Sequence, residues 1–226
     1  VLNSGRMRDQ WHTMTRTGLA PALLKHTDQA YLHISKQDMH EVGVNENELV
    51  AIRTKFNKND VVILPVKETT GLRAKEVFAP IHWSKSWGSH IALGQSFSGA
   101  HDGVSGQPEL KHGAVSITPV KPALQGYLVV KQPLDKSLIP ASFGVWSLVQ
   151  SASYVAYRFA SDHTLAECRA DVSGLLAGLG LQLALDSDVA SRKIVCHNGQ
   201  LTGAVWMATS LPSINIEWLE NVFASE

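Results

Sequence analysis

The stretch SGRMRDQWHTMTRTG, residues Ser4–Gly18, determines how the first half of this chain is interpreted. It is rich in hydrogen-bond donors and has almost no aliphatic side chains, so its composition is too polar for a core segment. Arg6 and Arg8 are suited to bind phosphate oxygens through their forked guanidinium groups. Gly5 permits a ligand to approach the backbone closely. The segment therefore predicts an anion-binding site near the start of the chain.

The remaining polar side chains of this stretch extend the prediction from an anion to a nucleotide. Asp9 and Gln10 are suited to the edge of a purine, since a carboxylate accepts from ring N–H and amino groups. Trp11 and His12 offer flat rings. Hydroxyl donors are supplied by Ser4, Thr13 and Thr15. Together these residues predict the lining of a nucleotide diphosphate pocket, and the alternative is a solvated N-terminal arm.

Composition limits the classes of protein that fit. With 226 residues, 44% of them hydrophobic, the chain is one large domain or two small ones with a genuine core. Twenty basic residues balance twenty acidic ones, so we expect neither nucleic acid nor a membrane as partner. We predict a cytoplasmic protein in which Cys168 and Cys196 are reduced core thiols. Because the first residue is Val1, we also expect a piece of a longer protein whose upstream part is missing.

Residues 1–120 have the pattern of a small β-barrel with short helices. The predicted elements are a helix at LAPALLKH (19–26), a strand at AYLHIS (30–35), a short helix between an N-cap at Ser35 and a stop at Gly43, two strands around the turn NKND (57–60), and strands within AKEVFAPIHW (74–83) and GAVSITPV (113–120). Residues 84–113 predict a long loop that is either functional or a mobile surface excursion.

Residues 121–226 predict a smaller α+β unit, preceded by a linker at PVKPALQG (119–126). The predicted elements are strands in GYLVVKQPL (126–134) and SYVAYRFAS (153–161), a helix from an N-cap at Thr164 to Gly180 with Cys168 on its buried face, a hairpin at Asn198–Gly199, and a last helix at INIEWLENVFAS (214–225). Trp146, Trp206 and Trp218 are predicted to pack in its core. The expected fold class is thus mixed α+β, mainly β.

No stand-alone catalytic constellation is visible. The ten histidines have no H-x-x-x-H or H-E-x-x-H spacing, which disfavours a metal site built from them. No phosphate-binding G-x-x-x-x-G-K-[ST] loop and no G-x-S-x-G elbow occur. Cys196 beside His197 lacks partners at metal-ligand spacing. We therefore predict no catalytic residue and no metal ligand in this chain.

Three stretches resemble one known family. SGRMRDQWHTMTRTG is similar to the segment that opens the C-terminal cofactor-binding domain of molybdopterin oxidoreductases of the dimethyl-sulfoxide-reductase superfamily, and most closely that of the assimilatory nitrate reductases. VFAPIHW (77–83) and DGVSGQPELKHGAV (102–115) resemble later stretches of the same branch in the same order. The resemblance covers residues 1–118. A weaker one, at GQLTGAVWMATSLP (199–212) and EWLENVF (217–223), is to the segment ahead of a [2Fe-2S] module.

The resemblance implies a six-stranded double-psi β-barrel that binds a bis-molybdopterin guanine dinucleotide cofactor containing molybdenum. His82 would lie near the substrate funnel, and Lys111 would hold the family's cofactor-contacting lysine position. Gly94 stands where the family usually has asparagine, and Gln95 is the nearest amide. The implied cofactor-binding residues are Ser4, Gly5, Arg6, Met7, Arg8, Asp9, Gln10, Trp11, His12, Thr13, Thr15, His82, Gln95 and Lys111.

The resemblance also implies the function of the whole enzyme. We expect the C-terminal part of a molybdenum nitrate reductase for nitrate assimilation, an oxidoreductase whose metal ligand and [4Fe-4S] cysteines lie upstream, so that this part alone is inactive. Its partners would be the other domains of the same polypeptide and an electron-donor reductase, with residues 121–226 as a docking element. The alternatives are the same domain of a formate dehydrogenase or another reductase of the superfamily, and a stand-alone binding scaffold.

Overall fold

The computed structural model of this protein describes residues 1–54 and 60–224. The chain divides into two compact units. The first comprises Val1–Leu19 and Lys25–Lys121, and the second comprises Ala20–Leu24 and the residues from Pro122 onward. The described residues form twelve strands and three α-helices, so the prediction of a mainly β, mixed α+β protein is confirmed. No helix among them is long and apolar enough to cross a membrane.

The first unit is built on a six-stranded mixed sheet. Its strands are β1 (Leu2–Gly5), β2 (Leu32–Ile34), β3 (Leu49–Thr54), β4 (Val62–Glu68), β5 (Val77–Pro80) and β6 (Val115–Val120), in the spatial order β1-β5-β2-β4-β3-β6. The pairs β1·β5 and β2·β4 are parallel, and the other pairs are antiparallel. The predicted turn at 57–60 falls mainly on residues 57–59, which lie outside the described residues.

The first and last strands of this order are linked to each other by backbone hydrogen bonds. The Leu2 N–H donates to the carbonyl oxygen of Gly113 at 2.7 Å, and the Gly113 N–H donates to that of Leu2 at 2.8 Å. Gly113 lies just ahead of β6, so these bonds connect the two ends of the sheet. The side chains enclosed by the strands are fully buried and apolar, among them Leu2, Leu32, Ile34, Ile52, Leu64 and Val66.

The short helix predicted between Ser35 and Gly43 is confirmed, together with both of its caps. Helix α1 (Lys36–Val42) begins after Ser35, whose hydroxyl accepts from the Asp38 N–H, and ends at Gly43 with φ 75°. The helix predicted at 19–26 is wrong, because the chain forms two short 3-10 turns, Thr17–Leu19 and Pro21–Leu24. Pro21 explains the break between the two turns, since it has no N–H to donate to the Thr17 carbonyl in a continuing α-helix.

The second unit is an antiparallel sheet with a helix on each face. Its strands are β7 (Leu124–Val130), β8 (Val145–Gln150), β9 (Val155–Ser161), β10 (Leu181–Asp186), β11 (Ala190–His197) and β12 (Gln200–Ala208), in the order β10-β11-β12-β7-β9-β8. Helix α2 (Leu165–Ala177) buries Val172 against Leu128 and its neighbours on one face. Helix α3 (Ile216–Ala224) buries Leu219 against Val129 on the other. Leu128 and Val129 are successive in β7 and therefore point to opposite faces.

Three local predictions in this unit are confirmed. The Thr164 hydroxyl accepts from the Glu167 N–H and the Glu167 carboxylate accepts from the Thr164 N–H, which is a complete capping box. Asn198 and Gly199 both have positive φ, 51° and 79°, as a two-residue hairpin between β11 and β12 requires. Cys168 is fully buried on α2, as predicted.

The predicted linker at 119–126 contains the boundary between the two units, but the connection itself is only residues 121–123, because β6 ends at Val120 and β7 begins at Leu124. Pro119 is tolerated in β6 because that strand ends the sheet order. Two other predictions in this unit are wrong. Helix α2 ends at Ala177 rather than at Gly180. Trp218 is 45% exposed rather than core, with its ring edge-on to Trp206.

Cys196 and two strands also depart from expectation. Cys196 is only half-buried, because the last residues of β11 lie near the hairpin turn. Strands β8 and β10 had no sequence prediction. Leu181, Leu183 and Leu185 alternate with polar or small residues in β10, a strand pattern that the preceding helical stretch obscures.

Candidate functional site

The stretch from Ser4 to Gly18 leaves the end of β1 as a run of turns. The Met14 N–H donates to the Trp11 carbonyl at 3.0 Å, and the Gly18 N–H donates to the Met14 carbonyl at 2.9 Å. His12 and Met14 have left-handed φ angles of 47° and 61°. The side chain of Met14 and the backbone of Gly18 are buried, and a Cβ on Gly18 would lie 2.5 Å from the Trp87 ring. The segment is therefore folded against the first unit and is not a solvated arm.

The buried side chain of His82 holds this run of turns in place through two hydrogen bonds to its backbone. It is fully buried, and its Nε2 accepts a hydrogen bond from the Met7 N–H at 2.9 Å. Its Nδ1 lies 2.6 Å from the carbonyl oxygen of His12 and therefore carries the proton that it donates there. One neutral imidazole thus joins both ends of the segment Met7–His12. We call this arrangement the His82 bridge.

Burial lowers the pKa of His82, and the positive charges of Arg6 and His12 act in the same direction, while the hydrogen bond to the His12 carbonyl opposes them. The neutral ring is also the only form that can accept from the Met7 N–H. A second histidine, His33, has its pKa lowered by burial and by Lys67. Both residues make the folded protein bind fewer protons than the unfolded chain below the ordinary histidine pKa.

We expect the stability of the chain to fall as the pH drops through about 6.5, the ordinary histidine pKa. Below that pH His82 binds a proton in the unfolded chain but stays neutral in the folded one. One such group lowers the free energy of unfolding by up to about 1.4 kcal/mol per pH unit. His82→Gln, which cannot titrate, should show a shallower fall when urea unfolding is measured from pH 7.5 to 5. Exposed His101→Gln is the control, and equal slopes for His82→Gln and the unsubstituted chain would contradict the assignment.

A cavity of about 740 Å³ lies beside the start of the same segment. This volume is within the range of small-molecule and cofactor sites. Its walls come from the end of β1, the residue after β5, and the stretch 100–112. The lining residues are Ser4, Gly5, Arg6, Ile81, Ala100, His101, Asp102, Gln107, Pro108, Glu109, Leu110, Lys111 and His112.

Two hydrogen bonds connect β1 to residues 110 and 111 of the cavity wall. The Ser4 hydroxyl donates to the Leu110 carbonyl at 2.5 Å, and the Lys111 ammonium donates to the Ser4 carbonyl oxygen. A Cβ on Gly5 would lie 2.9 Å from the Phe78 ring and 3.6 Å from Lys111 Nζ. A larger residue at position 5 would therefore require the Phe78 ring to move. Gly5 lines the cavity, and its close approach to a ligand stays a prediction.

The stretch 100–109 forms a short hairpin that closes one side of the cavity. The Glu109 N–H donates to the Ala100 carbonyl at 3.0 Å, and the Asp102 N–H donates to the Gln107 carbonyl at 2.9 Å. At its tip the Asp102 carboxylate accepts from the Ser105 N–H and hydroxyl and from the Val104 N–H, which lowers the pKa of Asp102. Of the cavity lining, only Ser4, Gly5, Arg6 and Lys111 were predicted. Ile81, His112 and the lining residues of 100–110 were not, although the sequence DGVSG is typical of such a side-chain-stabilised turn.

Arg6 and Lys111 are the positively charged side chains of the cavity wall. The Arg6 guanidinium lies 5.8 Å from the centre of the Trp11 ring, and Trp11 is 56% exposed. Lys111 has donors left after its bond to Ser4, since an ammonium carries three. The wall also contains two carboxylates, Asp102, which accepts hydrogen bonds within its turn, and Glu109, which accepts from the Ser98 hydroxyl at 3.1 Å. The formal charges of the wall therefore balance, and Arg6 and Lys111 are its cationic donors for an anionic ligand.

The structure places several other predicted residues outside the cavity wall. Arg8 makes a two-point ion pair with its neighbour Asp9, at 2.9 Å for both contacts, and His26 lies 2.8 Å from the same carboxylate. The hydrogen bonds from Arg8 are the main cause that lowers the pKa of Asp9. Gln10 is buried, and its side-chain oxygen accepts from the Thr17 hydroxyl at 2.8 Å.

The remaining predicted residues also lie apart from the cavity wall. Met7 and His12 contribute backbone groups to the His82 bridge, and Thr13 and Thr15 are exposed. Gln95 belongs to a short 3-10 turn, Leu93–Ser96. A Cβ on Gly94 in that turn would meet no atom within 4 Å, so the position has room for a larger side chain. No group of three His, Cys, Asp or Glu side chains in the described part of the chain is placed to hold a metal ion.

Comparison with known proteins finds one family model and several relatives that match this chain. Residues 1–114 match a family model described as Molydopterin dinucleotide binding domain. A nitrate reductase from Klebsiella oxytoca is 30% identical over 99% of this chain and 25% of its own length. A nitrate reductase from Shewanella frigidimarina is 30% identical over 56% of this chain and 15% of its own. A periplasmic nitrate reductase from Desulfovibrio desulfuricans is 30% identical over 49% and 14%. The chain thus spans a quarter or less of the length of these relatives.

Proposed function

We propose, because this chain belongs to the Molydopterin dinucleotide binding domain family, that its first unit holds a molybdopterin guanine dinucleotide in the cavity beside β1. The resemblance in residues 1–118 is confirmed at the level of the family and of its nitrate reductase relatives. Nitrate reductases are oxidoreductases, and we propose that this chain serves in one. The observation that carries the proposal is the cavity itself, whose cationic side chains, Arg6 and Lys111, both belong to the family-matched region.

The donor set fits an anionic dinucleotide. Arg6 offers a forked guanidinium and Lys111 an ammonium, which are the groups that bind phosphate oxygens best. Gly5 lines the cavity with them, and Trp11 adds an exposed ring for a flat base or pterin. When bound, the cofactor supplies the redox chemistry of the whole enzyme, while this chain supplies binding and orientation. Arg8 and Asp9, being paired to each other, would position the turn and not touch the phosphates.

We propose that the six strands of the first unit form the double-psi β-barrel implied by the resemblance. Its mixture of parallel and antiparallel pairs and the bonds between Leu2 and Gly113 support a closed arrangement. The second unit is proposed as a docking element for the remainder of the enzyme or for an electron-donor reductase. The assimilatory type and the upstream [4Fe-4S] cluster stay predictions. The cytoplasmic location also stays a prediction, since one relative is named a periplasmic enzyme.

The test is made on the polypeptide that contains this chain together with the further domains that its relatives have. Molybdenum content and guanine nucleotide released on denaturation are measured, together with nitrate reduction driven by a reduced viologen dye. We expect molybdenum, guanine nucleotide and nitrate turnover, and no turnover by the 226-residue chain alone. Turnover of formate but not nitrate would mean that the same cofactor site serves a formate dehydrogenase. The absence of both metal and nucleotide would refute cofactor binding.

A further inference from the structure

Strand β10 ends the sheet of the second unit and leaves one side of its backbone without a partner strand in the described part of the chain. Its sequence, LQLALD, places Leu181, Leu183 and Leu185 on one face. These three side chains are 74%, 59% and 70% exposed. An exposed, regular, apolar edge strand is a template for pairing with another strand.

The leucine row lies on the α3 face of the sheet but beyond the helix. Leu183 is opposite Ile194 in β11, and Ile194 packs in the cluster that contains Leu219 of α3. The alternate residue Gln182 points to the other face, where its amide donates to the Ser173 carbonyl of α2 at 3.5 Å. Because α3 packs against β12, it leaves the outer strand β10 uncovered on this face.

Strand β10 has none of the features that usually protect a sheet edge. It contains no lysine, arginine or proline, and its pairing with β11 has no irregularity. Its one charge, Asp186, lies at its end on the α2 side, where it accepts from the Ser191 hydroxyl and lies 3.5 Å from Arg169. The charge of β10 is therefore already neutralised within the unit, and it does not oppose a partner strand.

The sequence of β10 is complementary to itself. In an antiparallel pair with a two-fold axis at Leu183, that residue faces its own copy and Leu181 faces Leu185. Asp186 then faces Gly180, so that no like charges are opposed. All six leucines fall on one face of the joined sheet, in direct cross-strand contact. A partner with a different sequence would have to reproduce this alternation, whereas a second copy already has it.

We propose that this chain associates with a second copy of itself through β10, which joins the two second-unit sheets into one twelve-stranded antiparallel sheet. The contact consists of one strand pair and six leucines, which is small compared with the roughly 1,200 Å² of a stable interface. We therefore expect a reversible dimer that forms in the micromolar range and not an obligate one. The proposal depends on the second unit alone and is independent of cofactor binding.

The first test measures the mass of the 226-residue chain by sedimentation equilibrium over a range of concentrations. We expect the mass to rise toward twice that of the chain, and Leu183→Lys to remain monomeric, because a charge at the axis would face its own copy. Leu138→Lys, at a leucine 55% exposed in a 3-10 turn outside the sheet, should dimerise like the parent. A chain that stays monomeric, or a Leu183→Lys variant that still dimerises, would overturn the proposal.

The second test fixes the register and does not depend on the stability of a lysine variant. In a Cys196→Ser background, Leu183→Cys should form an intermolecular disulfide on mild oxidation, since directly opposed Cβ atoms lie about 4.5–5.5 Å apart. Leu138→Cys in the same background should not. Equal cross-linking of both would refute the register. We expect a longer polypeptide that contains this chain to dimerise and to cross-link at Leu183→Cys in the same way. If that polypeptide is monomeric, the proposal is overturned, because its other domains would then cover the three leucines of β10.

Discussion

Replacing Gly126 with alanine is expected to destabilise the second unit by about 3 kcal/mol or more, which is the upper end of the destabilisation that extra atoms in a packed core cause. Gly126 lies in β7, which pairs with β12 on one side and β9 on the other. A Cβ there would be 2.1 Å from the carbonyl oxygen of Trp206 and 2.7 Å from the Phe159 ring. The first atom belongs to the backbone of a central strand, so the clash can be relieved only by separating strands.

The matched control is Gly174→Ala, in which the new Cβ meets no atom within 4 Å in helix α2. Removing a glycine from a helix interior should stabilise the protein by up to about 1 kcal/mol. Thermal unfolding followed by circular dichroism compares the two variants with the parent chain. The assignment fails if Gly126→Ala melts within a degree or two of the parent, or if both glycine variants shift in the same direction.

The second large effect is expected at the cavity. Arg6→Gln and Lys111→Met each remove a charge-assisted hydrogen bond to an anionic ligand, which corresponds to a loss of roughly 10- to 100-fold in affinity. In the longer polypeptide we expect molybdenum and guanine nucleotide content after purification to fall in both variants. Arg6→Gln is the sharper test, because the described contact of Arg6 is with the exposed Trp11 ring and its loss leaves the buried structure intact.

Lys36→Met, in the first turn of α1, controls for the loss of a positive charge away from the cavity. Unfolding temperatures separate a binding defect from a folding defect, since Lys111→Met also removes the hydrogen bond to the Ser4 carbonyl. If Arg6→Gln and Lys36→Met retain the same amount of cofactor, the cavity beside β1 is not the phosphate site.

The parts of the fold that the sequence predicts are those fixed by neighbouring residues. Ser35 caps a helix by bonding three residues ahead, Thr164 and Glu167 bond each other, and Asn198–Gly199 adopt the positive φ angles that their turn requires. In each case the physical cause lies within a few positions of the residue, so its sequence pattern is visible without the rest of the chain.

What the sequence could not predict depends on distant partners. Strand β1 is only four residues long and is held by β5 and by Gly113, so its own composition carries little strand signal. Arg8 was expected at phosphate, but the adjacent Asp9 engages it at shorter range. His82 was assigned by resemblance to the substrate funnel, and its two backbone hydrogen bonds could not be foreseen from VFAPIHW; its place along the substrate path stays a prediction.

The link between Leu2 and Gly113 has a consequence for synthesis on the ribosome. Strand β1 is made among the first residues of this sequence, yet its partners in β5 and at Gly113 emerge much later. At a translation rate of roughly 5–20 residues per second, the strand waits several seconds for them. Contacts so distant in sequence also slow folding itself. Strand β1, with the sequence LNSG, is short and half polar, which suits a segment that must remain unpaired in water without aggregating while the rest of its sheet is made.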